Sequence, residues 1–175
     1  MKKTIIASAI MMMSASVLAN GNSKDAGHGV VNFVGSIIDA PCSIAPESLD
    51  QTVQIGQISS QLLEKEGETP VRTFNIHLES CSAATAKSAT ITFDGNADTV
   101  HTNHLAITGT GKGGAVALLN QDESEIHLGE KIGVAINDGE NTLNFGAKLV
   151  SNLKKGESAT PGEFASTANF VMSYQ

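Results

Sequence analysis

Two cysteines, five histidines and one acidic cluster are the side chains of this sequence whose types and spacing could do chemistry. Cys42 and Cys81 are its only thiols. With no Cys-x-x-Cys pair they are too few for a zinc site, and in an exported chain they oxidise to a structural disulfide. Closing a loop of 39 residues between them stabilises by about 4 kcal/mol in the chain-entropy model. None of His28, His77, His101, His104 and His127 stands in a His-x-His pair. His101-x-x-His104 comes nearest, but two imidazoles without carboxylate support read as a solvated turn. Gly109-Thr-Gly-Lys-Gly-Gly114 is faintly like a phosphate loop. That motif needs a glycine five residues before the glycine of the Gly-Lys pair and a Ser or Thr after the lysine, where this chain has Ala106 and Gly113. It reads as a flexible loop between strands. Asp122, Glu123 and Glu125 lack the Asp-x-Asp-x-Asp-Gly pattern of a calcium loop and read as a solvated hairpin tip. With no Trp and a single Tyr, the chain also lacks the aromatic platform common in sugar sites. No catalytic, cofactor-binding or metal-ligating residue is assigned, and the expectation is a protein that is not an enzyme.

Residues 1–19 have the form of a secretory signal. Lys2 and Lys3 precede an apolar stretch from Ile5 to Met13, and Val17-Leu18-Ala19 offers a small-residue cleavage site. A membrane helix needs about 20 apolar residues, and this run is shorter and broken by Ser14 and Ser16. Cleavage leaves 156 of the 175 residues, enough for one domain with its own core and with no transmembrane segment. Losing Lys2 and Lys3 takes the basic count from 11 to 9 against 18 acids, a charge of −9. That disfavours nucleic acid and anionic membrane surfaces as partners.

The elements that must position these residues are strands. Phe74, Ile76 and Leu78 alternate with polar neighbours, as do Ile91 and Phe93, and Leu143, Phe145, Ala147 and Leu149. Period two marks strands with one buried face. Turn signals at Asp94-Gly95-Asn96, Gly109–Gly114, Asn120-Gln121-Asp122, Asn137-Asp138-Gly139 and Pro161-Gly162 separate them. Short strands at this spacing predict an all-β sandwich. One helical turn is predicted over Ser59–Glu66. Cys42 shares parity with Ile38, Ala40 and Ile44 and can face the core. Cys81 falls off the parity of Phe74, Ile76 and Leu78, so that strand must end or bulge before it.

The two ends of the chain are complementary. Ala168-Asn169-Phe170-Val171-Met172-Ser173-Tyr174-Gln175 alternates to the last residue, an apolar strand in need of a neighbour. Ahead of Cys42, Gly27-His28-Gly29-Val30-Val31-Asn32-Phe33-Val34-Gly35 is an extended apolar arm that could supply one to another copy. The arrangement reads as a subunit that polymerises by strand exchange.

Three motifs carry a family resemblance. Gly29-x-Val31-x-Phe33-x-Gly35-x-Ile37-Ile38-Asp39-Ala40-Pro41-Cys42-Ser43-Ile44 is similar to the mature start of chaperone–usher pilus subunits. Asp138-Gly139-Glu140-Asn141-Thr142-Leu143, and Gly162-x-Phe164 leading to Ala168-Asn169-Phe170-x-Met172-x-Tyr174-Gln175, resemble the later parts of the same proteins. The likeness covers the whole mature chain and is closest to major rod subunits of the P-pilus and type 1 kind.

That resemblance implies an incomplete immunoglobulin-like β-sandwich lacking its last strand. A periplasmic chaperone lends a strand, and the outer-membrane usher exchanges it for the arm of the next subunit. The implied organisation is a signal over 1–19, a donor extension over 20–34 and a pilin domain over 35–175. The donor row is Asp25, Gly27, Gly29, Val31 and Phe33, with Val31 and Phe33 as anchors and Asp25 departing from the apolar pattern. The acceptor strand is Ala168, Phe170, Met172 and Tyr174. Gly162 stands where the family begins that strand, and the carboxylate of Gln175 docks on basic residues of the chaperone. The implied function is a structural fimbrial subunit of an extracellular rod supporting adhesion, with copies of itself and related pilins as partners and no cofactor. The alternatives are a minor subunit of the same rod and, more distantly, a periplasmic metalloprotein or enzyme on a similar sandwich. Copper–zinc superoxide dismutase is the nearest of that last kind, but its sites use six histidines including a His-x-His pair, which this sequence does not have.

Overall fold

The computed structural model describes residues 28–65 and 67–175. The signal segment 1–19, Asp25 and Gly27 lie outside the described residues. The chain divides after Ile37 into two units. Residues 28–37 form neither strand nor helix, and Val30, Val31, Phe33, Val34 and Ile37 are exposed.

The unit that begins at Ile38 is almost wholly β. In chain order it contains β1 (Ser43–Ile44), the short helices α1 (Pro46–Leu49) and α2 (Ser60–Glu64), β2 (Arg72–Cys81) and β3 (Ser88–Gly95). Then come β4 (Leu105–Ala106), β5 (Thr108–Gly109), β6 (Gly114–Leu119), β7 (Glu125–Ile126) and β8 (Lys131–Ala135). The long β9 (Gly139–Ser151), β10 (Phe164–Ala165) and β11 (Ala168–Tyr174) complete it. One sheet runs β1-β2-β9-β6-β4, with β7 also on β6; the second runs β11-β3-β8; β5 and β10 form a separate ribbon. No helix among the described residues is long and apolar enough to cross a membrane.

The alternating runs bury the side chains their period requires. Ile76 and Leu78 on β2, Ile91 and Phe93 on β3, and Leu143, Phe145, Ala147 and Leu149 on β9 form one core between the two sheets. Phe93 joins them: its ring meets Phe145 at 5.0 Å and Phe74 at 6.2 Å, both edge to face. That arrangement aligns the positive edge of one ring with the negative face of the next. At the turn between β8 and β9, the Asn141 side chain accepts from the Asn137 N–H and donates to the Asn137 carbonyl.

Cys42 and Cys81 are bonded to each other. The register of β2 against β9 shifts between Leu78 and Cys81, and Ser80 adopts φ 52°. This bulge brings Cys81 back to the buried side, which strict alternation from Leu78 denies it. The bond ties the first residues of this unit to the end of its longest early strand. Cys42→Ser is expected to cost about 2–5 kcal/mol and to lower the yield of folded protein. A urea midpoint unchanged by the substitution, or free thiols in denatured, unreduced wild type, would contradict this.

Strand β6 has no counterpart among the alternating runs because all six of its residues are buried. A strand covered on both faces loses its period-two signature. The glycine-rich stretch before it is not the flexible loop the sequence suggests. Lys112 and Thr160 exchange backbone hydrogen bonds, the Gly111 N–H donates to the Glu163 carbonyl, and β5 pairs with β10. At Gly111 an added Cβ would lie 2.7 Å from the Gly162 carbonyl oxygen, so the glycines permit a close backbone crossing.

A buried aspartate orders the loop after β3. Asp98 accepts from the N–H groups of Val100 and His101 through one oxygen and from the Asn152 amide through the other. Burial pushes its carboxyl up, but these donors outweigh burial and hold it below its ordinary value of 3.8. A lowered folded value contributes stability that is complete above the unfolded carboxylate's range and lost as pH falls through the folded one. Asp98→Ala is expected to cost about 1–3 kcal/mol at neutral pH. The penalty should shrink on acidification below that range, and an equal melting-temperature deficit at pH 7 and pH 3 would refute the assignment.

Candidate functional site

Among the described residues, strand β11 has one paired edge and one open edge. It is antiparallel to β3 from Ala168↔Gly95 to Tyr174↔Ala89. Among the described residues β3 is its only strand partner. Gln175 continues the ladder: its N–H donates to the Ser88 carbonyl, and its carbonyl accepts from the N–H groups of Lys87 and Ser88.

That last pair fixes which residues face which way. Gln175 and Ser88 exchange both bonds, so antiparallel alternation turns the backbones of Asn169, Val171 and Ser173 towards β3 as well. The N–H and C=O groups of Ala168, Phe170, Met172 and Tyr174 then point to the open edge.

The side chains of three of the same residues face the core. Phe170, Met172 and Tyr174 pack against it but are only half-buried, while Asn169, Val171 and Ser173 are exposed. Phe170 lies 6.3 Å from Phe93, and the Tyr174 hydroxyl is 3.8 Å from the Met172 sulfur. Burial pushes the Tyr174 hydroxyl above its ordinary value of 10.0. An unpaired edge combined with an incompletely covered apolar row is a template for another strand.

The remaining candidates are distributed as follows. Ala168 is exposed at the start of β11. Gly162 does not open β11; it precedes β10, in the tight crossing with Thr110 and Gly111. Gly29, Val31 and Phe33 belong to the 28–37 unit, where Val31 is 75% and Phe33 91% exposed. Two apolar side chains of one parity thus stand in solvent, two residues apart.

The histidine pair and the acidic cluster are less separate than their sequence positions suggest. His104 Nε2 lies 3.3 Å from Glu125, and the His104 side chain is only 11% exposed. Lys148 lies 2.7 Å from Glu68 and 3.9 Å from the same Glu125. His104 therefore has a carboxylate beside it and is not part of a solvated turn. His101 reaches the Ser151 carbonyl instead, at 3.2 Å. No sequence signal predicted this, since the partners come from strands paired only in the folded sheet. Asp122 does stay in solvent, its carboxyl lowered by the Ser124 hydroxyl and N–H. Among the described residues, no group of three or more His, Cys, Asp or Glu side chains is placed to hold a metal ion.

Comparison with known proteins agrees over nearly the whole chain. A family model described as fimbrial protein matches residues 31–175. A Fimbria A protein of Serratia marcescens is 46% identical over 172 residues, covering 94% of this chain and 97% of the relative. The Pap fimbrial major pilin protein of Escherichia coli is 32% identical, with both chains covered in full. The crystal structure of the P pilus rod subunit PapA superposes with a TM-score of 0.71 at 28% identity, over 78% of this chain and all of that one. A chaperone–usher pilus structure that explains rod uncoiling gives 0.75 at 30% identity, over 86% and 97%.

Proposed function

The chain belongs to the fimbrial protein family, and on that premise we propose that it is the repeating subunit of a fimbrial rod, joined copy to copy by donor-strand exchange. It is a structural pilus subunit with an immunoglobulin-like sandwich that lacks a strand. The observation that carries the proposal is the open edge of β11, whose outward backbone groups and half-buried row of Phe170, Met172 and Tyr174 belong to the same residues.

The donor is residues 20–34 of the neighbouring copy. β11 has seven residues and spans about 23 Å at roughly 3.3 Å per residue. Asp25 to Phe33 spans somewhat more, so one arm can follow the whole edge. Main-chain bonds to the edge supply affinity, and alternate side chains supply register. Val31 and Phe33 contribute about 1.5–3 kcal/mol each on full burial. Gly27 and Gly29 suit narrow parts of the slot, where the incoming backbone comes close.

Before assembly the open edge needs a temporary cover, which is the task of a periplasmic chaperone. An outer-membrane usher replaces it with the next arm. The partners are copies of this chain and related pilins, the product is extracellular, and the role is structural with no cofactor. Electron microscopy of cells with and without the chain tests the reading. Loss of the fibre shaft is expected; a shaft that persists with altered ends or length would make this a minor subunit. Stoichiometric copper or zinc in the purified protein would overturn the structural role.

A further inference from the structure

We propose that Met172 is a redox-sensitive modification site: a peroxide reaching the open edge of β11 converts its thioether to the sulfoxide, and the oxidised edge no longer accepts an arm. The inference rests on the donor-strand reading above.

The chain leaves one sulfur free to react. Four of its five methionines, Met1, Met11, Met12 and Met13, lie within residues 1–19, so Met172 is the one methionine from residue 20 onwards. The only two cysteines are bonded to each other. Peroxides act on thiols and thioethers, and a single target of that kind stands beyond residue 19.

The fold puts this sulfur in the assembly edge. Met172 stands in register with Ile91 of β3, which is fully buried and closes one side. Phe170 and Tyr174 flank it along the same row, and all three are only half-buried. On the remaining side lies the unpaired edge of β11, which no strand covers among the described residues. The Tyr174 hydroxyl donates to the sulfur at 3.8 Å. A thioether is a weak acceptor, and its second lone pair is left for the oxidant.

With hydrogen peroxide, that lone pair attacks one peroxide oxygen. The S–O bond forms as the O–O bond breaks, the sulfur gives up two electrons, and the second oxygen leaves as water with both protons. A flexible apolar side chain becomes polar and chiral. Its new oxygen lies between Phe170 and Tyr174, in the slot that Val31 and Phe33 of the next copy must enter. A bond from the Tyr174 hydroxyl does not restore the fit, because the oxygen also takes up room in the slot. Exchange reverses the exposure: an arm laid along the edge covers Met172 on its last open side. The subunit is therefore sensitive before exchange and resistant after it.

Purified monomer and purified fibres, each exposed to hydrogen peroxide, test this. Mass spectrometry of their carboxyl-terminal peptides is expected to show one added oxygen on Met172, appearing at least about tenfold faster in the monomer because exposure governs the rate. Oxidised monomer should form about a tenth or less of the ladder of heat-resistant multimers on a denaturing gel. A Met172→Leu monomer, close in volume, should keep its ladder after the same treatment. Equal oxidation of Met172 in monomer and fibre would overturn the proposal, as would a full ladder from oxidised monomer. Loss of the ladder in treated Met172→Leu would also overturn it, because the damage would then lie elsewhere. The two wild-type measurements decide the matter even if the leucine variant fails to fold. Phe33→Asp run in parallel isolates the premise: normal polymerisation of that variant refutes donor-strand exchange itself, whatever Met172 does.

Discussion

Phe33→Asp is expected to leave the subunit folded, soluble and bound to its chaperone, while abolishing polymerisation. Phe33 is 91% exposed in its own chain, so its replacement removes nothing from the core around Phe93 and Phe145. In a neighbour's groove the new carboxylate would meet an apolar slot, where ionisation or forced protonation costs several kcal/mol. About 4 kcal/mol already weakens an association roughly a thousandfold. The readout is the heat-resistant ladder together with the yield of subunit–chaperone complex. Val31→Asp should behave alike. Asn32→Asp, on the opposite row, should keep the ladder. Equal loss of the ladder in Asn32→Asp and Phe33→Asp would remove the alternating-pocket mechanism. Misfolding of Phe33→Asp before export would place this phenylalanine in its own core.

Deleting Tyr174 and Gln175 should have the opposite signature, a subunit lost before assembly begins. Gln175 makes three backbone hydrogen bonds with Lys87 and Ser88, and Tyr174 packs half-buried beside Met172. Without them the end of β11 frays from β3. On the proposed reading, the edge offered to a chaperone then loses its order, and its apolar row becomes an aggregation site. The expected outcome is degradation or inclusion bodies with no recoverable subunit–chaperone complex. A normal, soluble complex from the truncated chain would mean that chaperone capture does not use this end of the edge.

Much of this could be read from local pattern. The parity of Phe74, Ile76 and Leu78 against Cys81 predicted a bulge, and Ser80 supplies it. The alternation of Leu143 through Leu149 predicted the central strand β9. The predicted helical turn at Ser59–Glu66 corresponds to α2, whereas the single turn α1, with Pro46 at its start, had no periodicity to announce it. β6 escaped because burial on both faces erases alternation. Gly109–Gly114 was misread as flexible because glycine marks a mobile loop and a close backbone crossing equally well, and only its pairing with residues 160–165 separates the two.

By itself the sequence determined which side of each alternating strand is buried, that two cysteines were available to each other, and that one arm and one terminal strand carried matched apolar rows. These are properties of side-chain order, and side-chain direction along a strand repeats every two residues wherever the strand lies. The lateral arrangement is settled by the folded structure alone: that β11 pairs with β3, that among the described residues no strand pairs with its other edge, and that Glu125 reaches His104. Backbone hydrogen-bonding groups are the same in every residue but proline, so a strand's sequence says little about its neighbour.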